Sequence, residues 1–544
     1  MWRNRLKLLR VAAALVFFAG LTAALADFRN LVPAAAGHWF AGTQLVPSLI
    51  ALATGASLAL AGIIIIVATL AAGRIYCSAI CPLGILQDVV ARLAAWLRRG
   101  NQRLLPFARP KTWLRQLFLW GTVGGVLAGW SGFTLSLVDP YSNFGRVVSG
   151  LFRPLLTLAN NAVVGAAHAI GIDGGLYRVE PTWAGMSALG LPVIFLVLIT
   201  VLVALRGRLY CNTLCPVGTL LGLFARRAAF RLSIDQGACN KCGACLQVCK
   251  SQCIDLRAGM MDFSRCVACY NCIGACEHGG IGYRFAWRWT SGRKAAAPVS
   301  PPRPVANLEA PDPQRRAFLV GTVVAVTASL GAAPRMPAQD RDSRQQPGRD
   351  TVEGDDGAAS GAICPPGAGS VDRFLDRCTA CHLCVSACPT RVLKPAFLEY
   401  GLGGLMMPRL DYSTAFCNYD CRRCGEVCPD GAIRLLDLAD KQLTQIGETH
   451  LDVEKCIVKT KGTDCAACSE HCPTKAVSTV PYGNNLRLPE FKRELCIGCG
   501  ACEYACPVRP EKAIIVTGRR RHGRAQKLVE KRATAPAPTG DFPF

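Results

Sequence analysis

The sequence predicts a multidomain fold: an α-helical transmembrane bundle, four spans plus a fifth helix, carrying small α+β cysteine-rich domains. Three observations predict it. Hydrophobic residues make up 51% of 544 positions and the mean hydropathy is +0.27. There are 30 cysteines, most of them in tight C-x-x-C runs. The formal net charge is +24, with much of the Lys/Arg excess beside apolar segments, in linkers and in the C-terminal tail. That distribution suits lipid headgroups, and nucleic acid is not expected as a partner. Disulfide scaffolds are usually short and secreted, and they do not need C-x-x-C spacing; metal ligation does.

A helix needs about 20 apolar residues to cross the hydrocarbon core. Segments 8–26, 47–72, 117–138 and 187–205 come close to that length and make residues 1–230 the transmembrane domain. Segment 151–172 contains Arg153, Asn160, Asn161 and His168, and is expected to lie at the interface or to re-enter. The basic residues around Arg3–Arg10, Arg92–Lys111 and Arg206–Arg227 fall on one side of a four-span bundle. The positive-inside rule makes that side the cytoplasm.

Residues 231–290 hold two copies of C-x2-C-x2-C-x3-C, the ligand spacing of bacterial [4Fe–4S] ferredoxins. They are Cys239, Cys242, Cys245, Cys249 and Cys266, Cys269, Cys272, Cys276. Three thiolates on one tight loop hold three irons of a cube, and the fourth reaches the neighbouring cube. Cys276 is therefore expected to complete the first site and Cys249 the second. Lys250 and Glu277 replace the usual proline after the fourth cysteine, a residue that shapes the loop without ligating.

Residues 372–518 hold four more motifs. These are Cys378, Cys381, Cys384, Cys388; Cys417, Cys421, Cys424, Cys428; Cys456, Cys465, Cys468, Cys472; and Cys496, Cys499, Cys502, Cys506. The second and third have a widened first gap, and a proline follows each fourth cysteine. The six motifs take 24 of the 30 cysteines and predict about six [4Fe–4S] cofactors. Two pairings stay open in this block: first with second, or first with fourth enclosing the others. Zinc also uses four-cysteine sites, and Cys378-Thr379-Ala380-Cys381-His382 fits a haem attachment pattern. The intact ferredoxin spacing argues against both.

Between and beyond these blocks lie a linker at 291–313, an apolar run at 314–335 opened by Arg315-Arg316, a polar linker at 336–371 expected to be disordered, and a basic tail at 519–544. Arg315-Arg316-Ala317-Phe318-Leu319 reads as a twin-arginine leader or a basic-flanked fifth span.

Four leftover cysteines form an internal repeat, R-x-Y-C-x3-C-P-x-G. It is carried by Arg74, Tyr76, Cys77, Cys81, Pro82, Gly84 and by Arg208, Tyr210, Cys211, Cys215, Pro216, Gly218. Cysteines four apart share a helical face, so Cys77, Cys81, Cys211 and Cys215 are a candidate extra redox or metal site; thiols packing a helix end are the plainer alternative. Cys253 and Cys364 are expected to be bystanders. His38 and His168 lie near apolar segments and are weighed as quinone or haem contacts against ordinary interfacial histidines. No Ser/His/Asp set, phosphate loop or nucleotide fingerprint stands out, so no enzyme is expected, only an electron carrier.

On these features residues 1 to about 290 resemble the NapH/MauN family of membrane ferredoxin-type proteins: four spans, the two repeats and the two-cluster block. Residues 314 to 517 resemble the NapG/MauM family of exported four-cluster ferredoxins, through the twin arginines, Pro365-Pro366-Gly367-Ala368 and the widened third motif. The resemblance implies a fusion of two subunits that moves electrons between quinol and a periplasmic oxidoreductase of nitrate-reductase type or a cytochrome c-type subunit. It implies a multi-pass protein of the bacterial inner membrane, the two-cluster block cytoplasmic and the four-cluster block periplasmic. Clusters are built in the cytoplasm and couple to folding, which suits a twin-arginine route. The methylamine-utilisation members allow a second role, maturing the cofactor of a periplasmic redox enzyme; redox sensing through the paired cysteines is a third. With about 30 Å of hydrocarbon between the blocks, a diffusing quinone or a haem partner is expected to join them.

Overall fold

The computed structural model describes residues 2–54, 59–97, 107–171, 177–181, 186–285, 361–483 and 485–528. The twin arginines, the 291–313 linker, the 314–335 run and most of the 336–371 linker lie outside these residues. Everything described belongs to one compact unit, helices and both cysteine blocks together.

Among the described residues two helices are long and apolar enough to cross a membrane, Arg5–Ala26 and Pro140–Ala169. These two helices do not by themselves confirm the expected four-span bundle. Segment 47–72 is two short helices, Leu45–Thr54 and Ala59–Ala72, packed face to face with Gly62 against Ser48. Segment 117–138 is likewise Thr112–Leu127 and Ser131–Val138, turned at the left-handed Gly129 so that Gly125 meets Thr134. Hydropathy counts apolar residues and does not see the chain reverse. Segment 187–205 lies within one helix, Met186–Arg206. The segment expected to re-enter, 151–172, is instead the second half of the 30-residue helical run Pro140–Ala169. A π turn, Val148–Phe152, widens that run just before Pro154, which has no N–H to continue the ladder.

Outward-facing side chains of these helices are apolar: Leu8, Leu15, Ile64, Val67, Trp120 and Ile194 are all exposed. The inward faces of all but Thr112–Leu127 join one core with the final cysteine block.

The first cysteine block pairs Phe230–Ile234 with Ile281–Phe285 and Ile254–Asp255 with Met260–Met261, both antiparallel. The final block repeats such hairpins: Leu393–Pro395 with Pro408–Leu410, Val477–Tyr482 with Leu486–Phe491, and Thr444–Leu451 with Ile514–Arg524. The last strand carries Arg519, Arg520 and Arg521, so the basic tail begins as ordered sheet. Residues 361–371 are ordered too. Ile363 bridges Leu410, Ser370 bridges Arg521, and Arg434 N–H donates to Gly367 O at 3.0 Å. Cys364 is fully buried there.

Candidate functional site

Each motif builds the same local device. The third cysteine sits in a one-turn helix, and in five of the six motifs the fourth follows it at once in extended backbone, as in Ala244–Val248 then Cys249 and Leu383–Ala387 then Cys388; in the remaining motif His471 stands between the helix Ala467–Glu470 and Cys472. In the four motifs of strict spacing, both residues flanking the second cysteine are left-handed: Lys241 and Gly243, Ala268 and Tyr270, Ala380 and His382, Gly498 and Gly500. Two such residues curl the loop so that its amides face sulfur: Ala380 N–H lies 3.4 Å from Cys378 Sγ and Gly498 N–H 3.3 Å from Cys496 Sγ. In the two widened motifs, Arg422 and Ala466 are at φ −129° and −122°. Extra residues in the first gap relieve the strain that the tight loop absorbs.

The expected ligands come together as six sets. Cys239, Cys242, Cys245 and Cys276 line a cavity of about 340 Å³, and Cys266, Cys269, Cys272 and Cys249 one of about 330 Å³. In the final block Cys378, Cys381, Cys384 and Cys428 line about 310 Å³, Cys417, Cys421, Cys424 and Cys388 about 360 Å³, and Cys456, Cys465, Cys468 and Cys506 about 350 Å³. Cys502 faces Cys499, Cys496 and Cys472. The first motif thus pairs with the second and the third with the fourth; the enclosing arrangement is absent. Among the described residues no three His, Cys, Asp or Glu side chains converge closely enough to hold a single metal ion. A zinc tetrathiolate would require such convergence at about 2.3 Å per bond, whereas a four-iron cube needs sulfurs spread around a cavity. Burial pushes the Cys381 thiol up, and that of Cys417 to about 11, so iron binding here displaces protons.

His382 does not serve a haem. Its Nε2 contacts Met406 O at 2.8 Å and its Nδ1 contacts Ser149 Oγ at 3.1 Å. Burial lowers its pKa to about 3, leaving a neutral ring that ties the final block to the π turn.

The R-x-Y-C-x3-C-P-x-G repeats pack together, but among the described residues their thiols do not group closely enough to hold a metal ion, so the metal reading of this set is not supported. Cys77, Cys81, Cys211 and Cys215 are all buried in one core. Neither pair shares a helix, contrary to expectation. Cys77 lies in the one-turn helix Tyr76–Ala79 and Cys211 in Leu209–Thr213, while Cys81 and Cys215 each precede a proline that starts the next helix. Each repeat's arginine crosses to the other repeat. Arg74 donates to Cys211 O at 3.2 Å and Arg208 to Cys77 O at 2.6 Å. Arg74 Nη2 also lies 3.7 Å from Cys77 Sγ, and Gln87 Nε2 3.3 Å from Cys211 Sγ. Below them Asp88 is shared by Arg10, Arg208 and Lys250 at 2.7, 2.8 and 3.0 Å. Burial raises its pKa, but the three cations outweigh burial and hold the carboxyl below its usual range.

Both cysteine blocks grip the helices beside this tetrad. From the first block, Lys250 O accepts from Arg208 N–H at 3.0 Å and Ser251 O from Asn212 at 3.3 Å. From the final block, Ser386 Oγ donates to Leu25 O at 2.6 Å, and Arg153 donates to Ser386 O at 3.1 Å. Gly145 lies directly against the Cys381 carbonyl. The first block thus holds the repeat segments themselves, and the final block holds Leu25, Gly145 and Arg153 of the same helical core. His38 lies against Val427 of the final block, and His168 sits in the last turn of its helix. Sequence reasoning missed Cys253, which lines the cavity of Cys249.

Comparison with known proteins agrees with this chemistry. A family described as a 4Fe-4S binding domain matches residues 54–103 and 188–234, which contain the two repeats. A 4Fe-4S dicluster domain matches 461–510, and another 4Fe-4S binding domain matches 372–394. The ferredoxin-type protein NapF of Escherichia coli K12 is 28% identical over 28% of this chain and 83% of its own length. The methylamine utilization ferredoxin-type protein MauM of Methylorubrum extorquens is 32% identical over 28% of this chain and 72% of its own. The ferredoxin-type protein NapG of Escherichia coli K12 is 32% identical over 27% and 68%. No solved structure matches. The chain carries multiple [4Fe–4S] clusters and has an iron–sulfur electron-transfer role.

Proposed function

This chain belongs to the family of ferredoxin-type proteins that includes MauM and NapG, and on that premise we propose that it is a membrane-anchored carrier moving electrons along one protein path between its two cysteine blocks. The six cysteine sets are assigned as the ligands of six cubes. A bound cube takes up or releases one electron at a potential tuned by burial and by hydrogen bonds to sulfur.

The rest is done by the chain. The observation that carries the reading is a short covalent and hydrogen-bonded path. Cys249 adjoins Lys250, whose carbonyl accepts the Arg208 N–H at 3.0 Å. Arg208 leads through Tyr210 to Cys211, and the Tyr210 hydroxyl donates to Val138 O at 3.3 Å. Three residues on, Tyr141 faces Cys381. The thiols of Cys77, Cys81, Cys211 and Cys215 lie along this path as part of the intervening protein, through which an electron tunnels without the thiols themselves being oxidised or reduced.

We assign residues 1 to about 290 as a NapH/MauN-like half fused to the NapG/MauM-like half, supported by the repeats and by the apolar exterior of the helices. Leu6 packs with the first block and Leu25 accepts from the final one. At 1.5 Å per residue these points are roughly 29 Å apart along the helix, close to the hydrocarbon thickness of about 30 Å. This supports a bacterial inner-membrane protein with the first block cytoplasmic and the final block periplasmic. Quinol is assigned as donor and a periplasmic oxidoreductase or c-type cytochrome as acceptor.

Two measurements test the proposal. Oxygen-free purification should give about 24 irons and as many acid-labile sulfides; a colourless, sulfide-free chain ends it. In quinone-free proteoliposomes, an impermeant reductant on the first block's side should reduce clusters of the final block, followed by freeze-quench EPR. Cys77→Ala with Cys211→Ala should slow that transfer at least 100-fold with the six cubes intact. An unchanged rate would exclude the tetrad from the path.

A further inference from the structure

In five of the six motifs the third residue after the fourth cysteine is left-handed: Gln252, Gly279, Arg391, Gly431 and Lys475. That turn folds the chain back, so the next side chain lines the cavity its cysteine serves. Val392 lines the cavity of Cys388, and Ala432 that of Cys428. Across the motifs this position is Gly280, Val392, Ala432, Ala476 and Pro510, with one exception, Cys253. An alanine suffices to pack there, so the fold does not require a thiol.

Cys253 is buried, and its Sγ lies 3.7 Å from Cys249 Sγ. It also faces Cys266, and it lines the cavity of about 330 Å³ shared by Cys249, Cys266, Cys269 and Cys272. Its backbone is fixed: Asp262 N–H donates to Cys253 O at 2.8 Å, and the strand Ile254–Asp255 follows at once. Five thiols thus surround one site where four suffice.

We propose that Cys253 is a reserve ligand of this site, able to bind iron in place of Cys249. The inference rests on the reading of this cavity as a cube site. In the exchange the iron bond to Cys249 sulfur breaks and one to Cys253 sulfur forms. The Cys253 thiol proton passes to the departing Cys249 thiolate, so charge and electron count are unchanged. The site so protected is the one that Lys250 joins to the helices, where loss of a cube would cut the path.

The test uses the full chain, purified without oxygen, with iron and sulfide counts and EPR. Cys249→Ala should keep about 24 irons and alter one cluster signal, whereas Cys249→Ala with Cys253→Ala should lose about four. Cys276→Ala is the internal control: Gly280 offers no sulfur, so about four irons should go. Loss of as much iron from Cys249→Ala as from the double variant would overturn the proposal. Cys253→Ala alone gives a second reading that does not depend on the Cys249 variant folding. It should retain every iron and lower the potential of one cluster, because a hydrogen bond to a ligand sulfur is removed; an unmoved potential counts against the role. A wild type without sulfide would instead sink the cube reading itself.

Discussion

Two sites built on the same spacing show what the motif decides and what it leaves to packing. Around Cys239, Cys242, Cys245 and Cys276 the loop is open: Cys242 is exposed, and Cys239 and Cys276 are half-buried. Around Cys378, Cys381 and Cys384 every one of those thiols is buried, and the loop is pressed against the helices by Gly145, Ser149 and Arg153. The cysteine spacing is identical and so is the left-handed pair flanking the second cysteine. The spacing determines what is held; the surface laid against the loop determines whether the site meets solvent and partners or faces the interior. On the proposed path the open site is suited to taking up electrons from outside the chain, and the buried one to receiving them through the protein.

The comparison is broken most severely at Gly145. A Cβ there would collide with the Cys381 carbonyl, and backbone cannot yield as a side-chain tip can. Gly145→Val should cost about 3 kcal/mol, the upper part of the overpacking range. It should also slow reduction of the final block from the first while leaving the iron count intact. Thermal loss of visible absorbance and the proteoliposome assay read the two effects. A variant with native stability and native transfer would mean that this contact does not couple the blocks.

A smaller effect separates the two histidines at these sites. His382 is buried between Ser149 and Met406, whereas His278 shares one exposed contact with Asn240 at 3.0 Å. His382→Ala leaves a cavity and an unpaired carbonyl, costing about 2 kcal/mol. His278→Ala should stay within about 0.5 kcal/mol, as surface changes do. Equal melting shifts for the two variants would remove the distinction drawn between the sites.

What the sequence made legible follows the range of the forces involved. Six motifs could be read because cluster ligation is encoded within a short stretch of chain, 11 residues in the strict motifs and 17 in the widest. Their pairing could not, because it depends on how the hairpins of the final block stack: Cys428 closes the first site and Cys506 the third. The repeats were visible, yet their convergence depends on Arg74 and Arg208 crossing between segments more than a hundred residues apart. Two of the expected spans are interrupted, at Gly129 and by the contact of Gly62 with Ser48, where apolar helices reverse. Composition is blind to a reversal. Cys253 was readable in principle. Aligning the residues after each fourth cysteine sets it against Gly280, Val392, Ala432, Ala476 and Pro510, but a reading confined to the motif stops one turn too early.

The mildest test turns to the loop geometry that the two sites share. Gly243 is left-handed at φ 81°, and a Cβ there would meet nothing within 4 Å. Gly243→Ala therefore isolates the backbone cost, about 1 kcal/mol for a side chain in that conformation. The equivalent residues in two other strict motifs are Tyr270 and His382, which occupy the same conformation with full side chains. The loop thus tolerates a Cβ when its neighbours hold it. Those two side chains are buried, and their contacts offset the strain; an alanine in the open loop finds no such contacts. Gly243→Ala should accordingly lower the melting point slightly and leave the iron count unchanged. If it instead loses irons, the left-handed turn is demanded by the bound cube and not merely permitted by glycine, and the open and buried sites are under the same constraint after all.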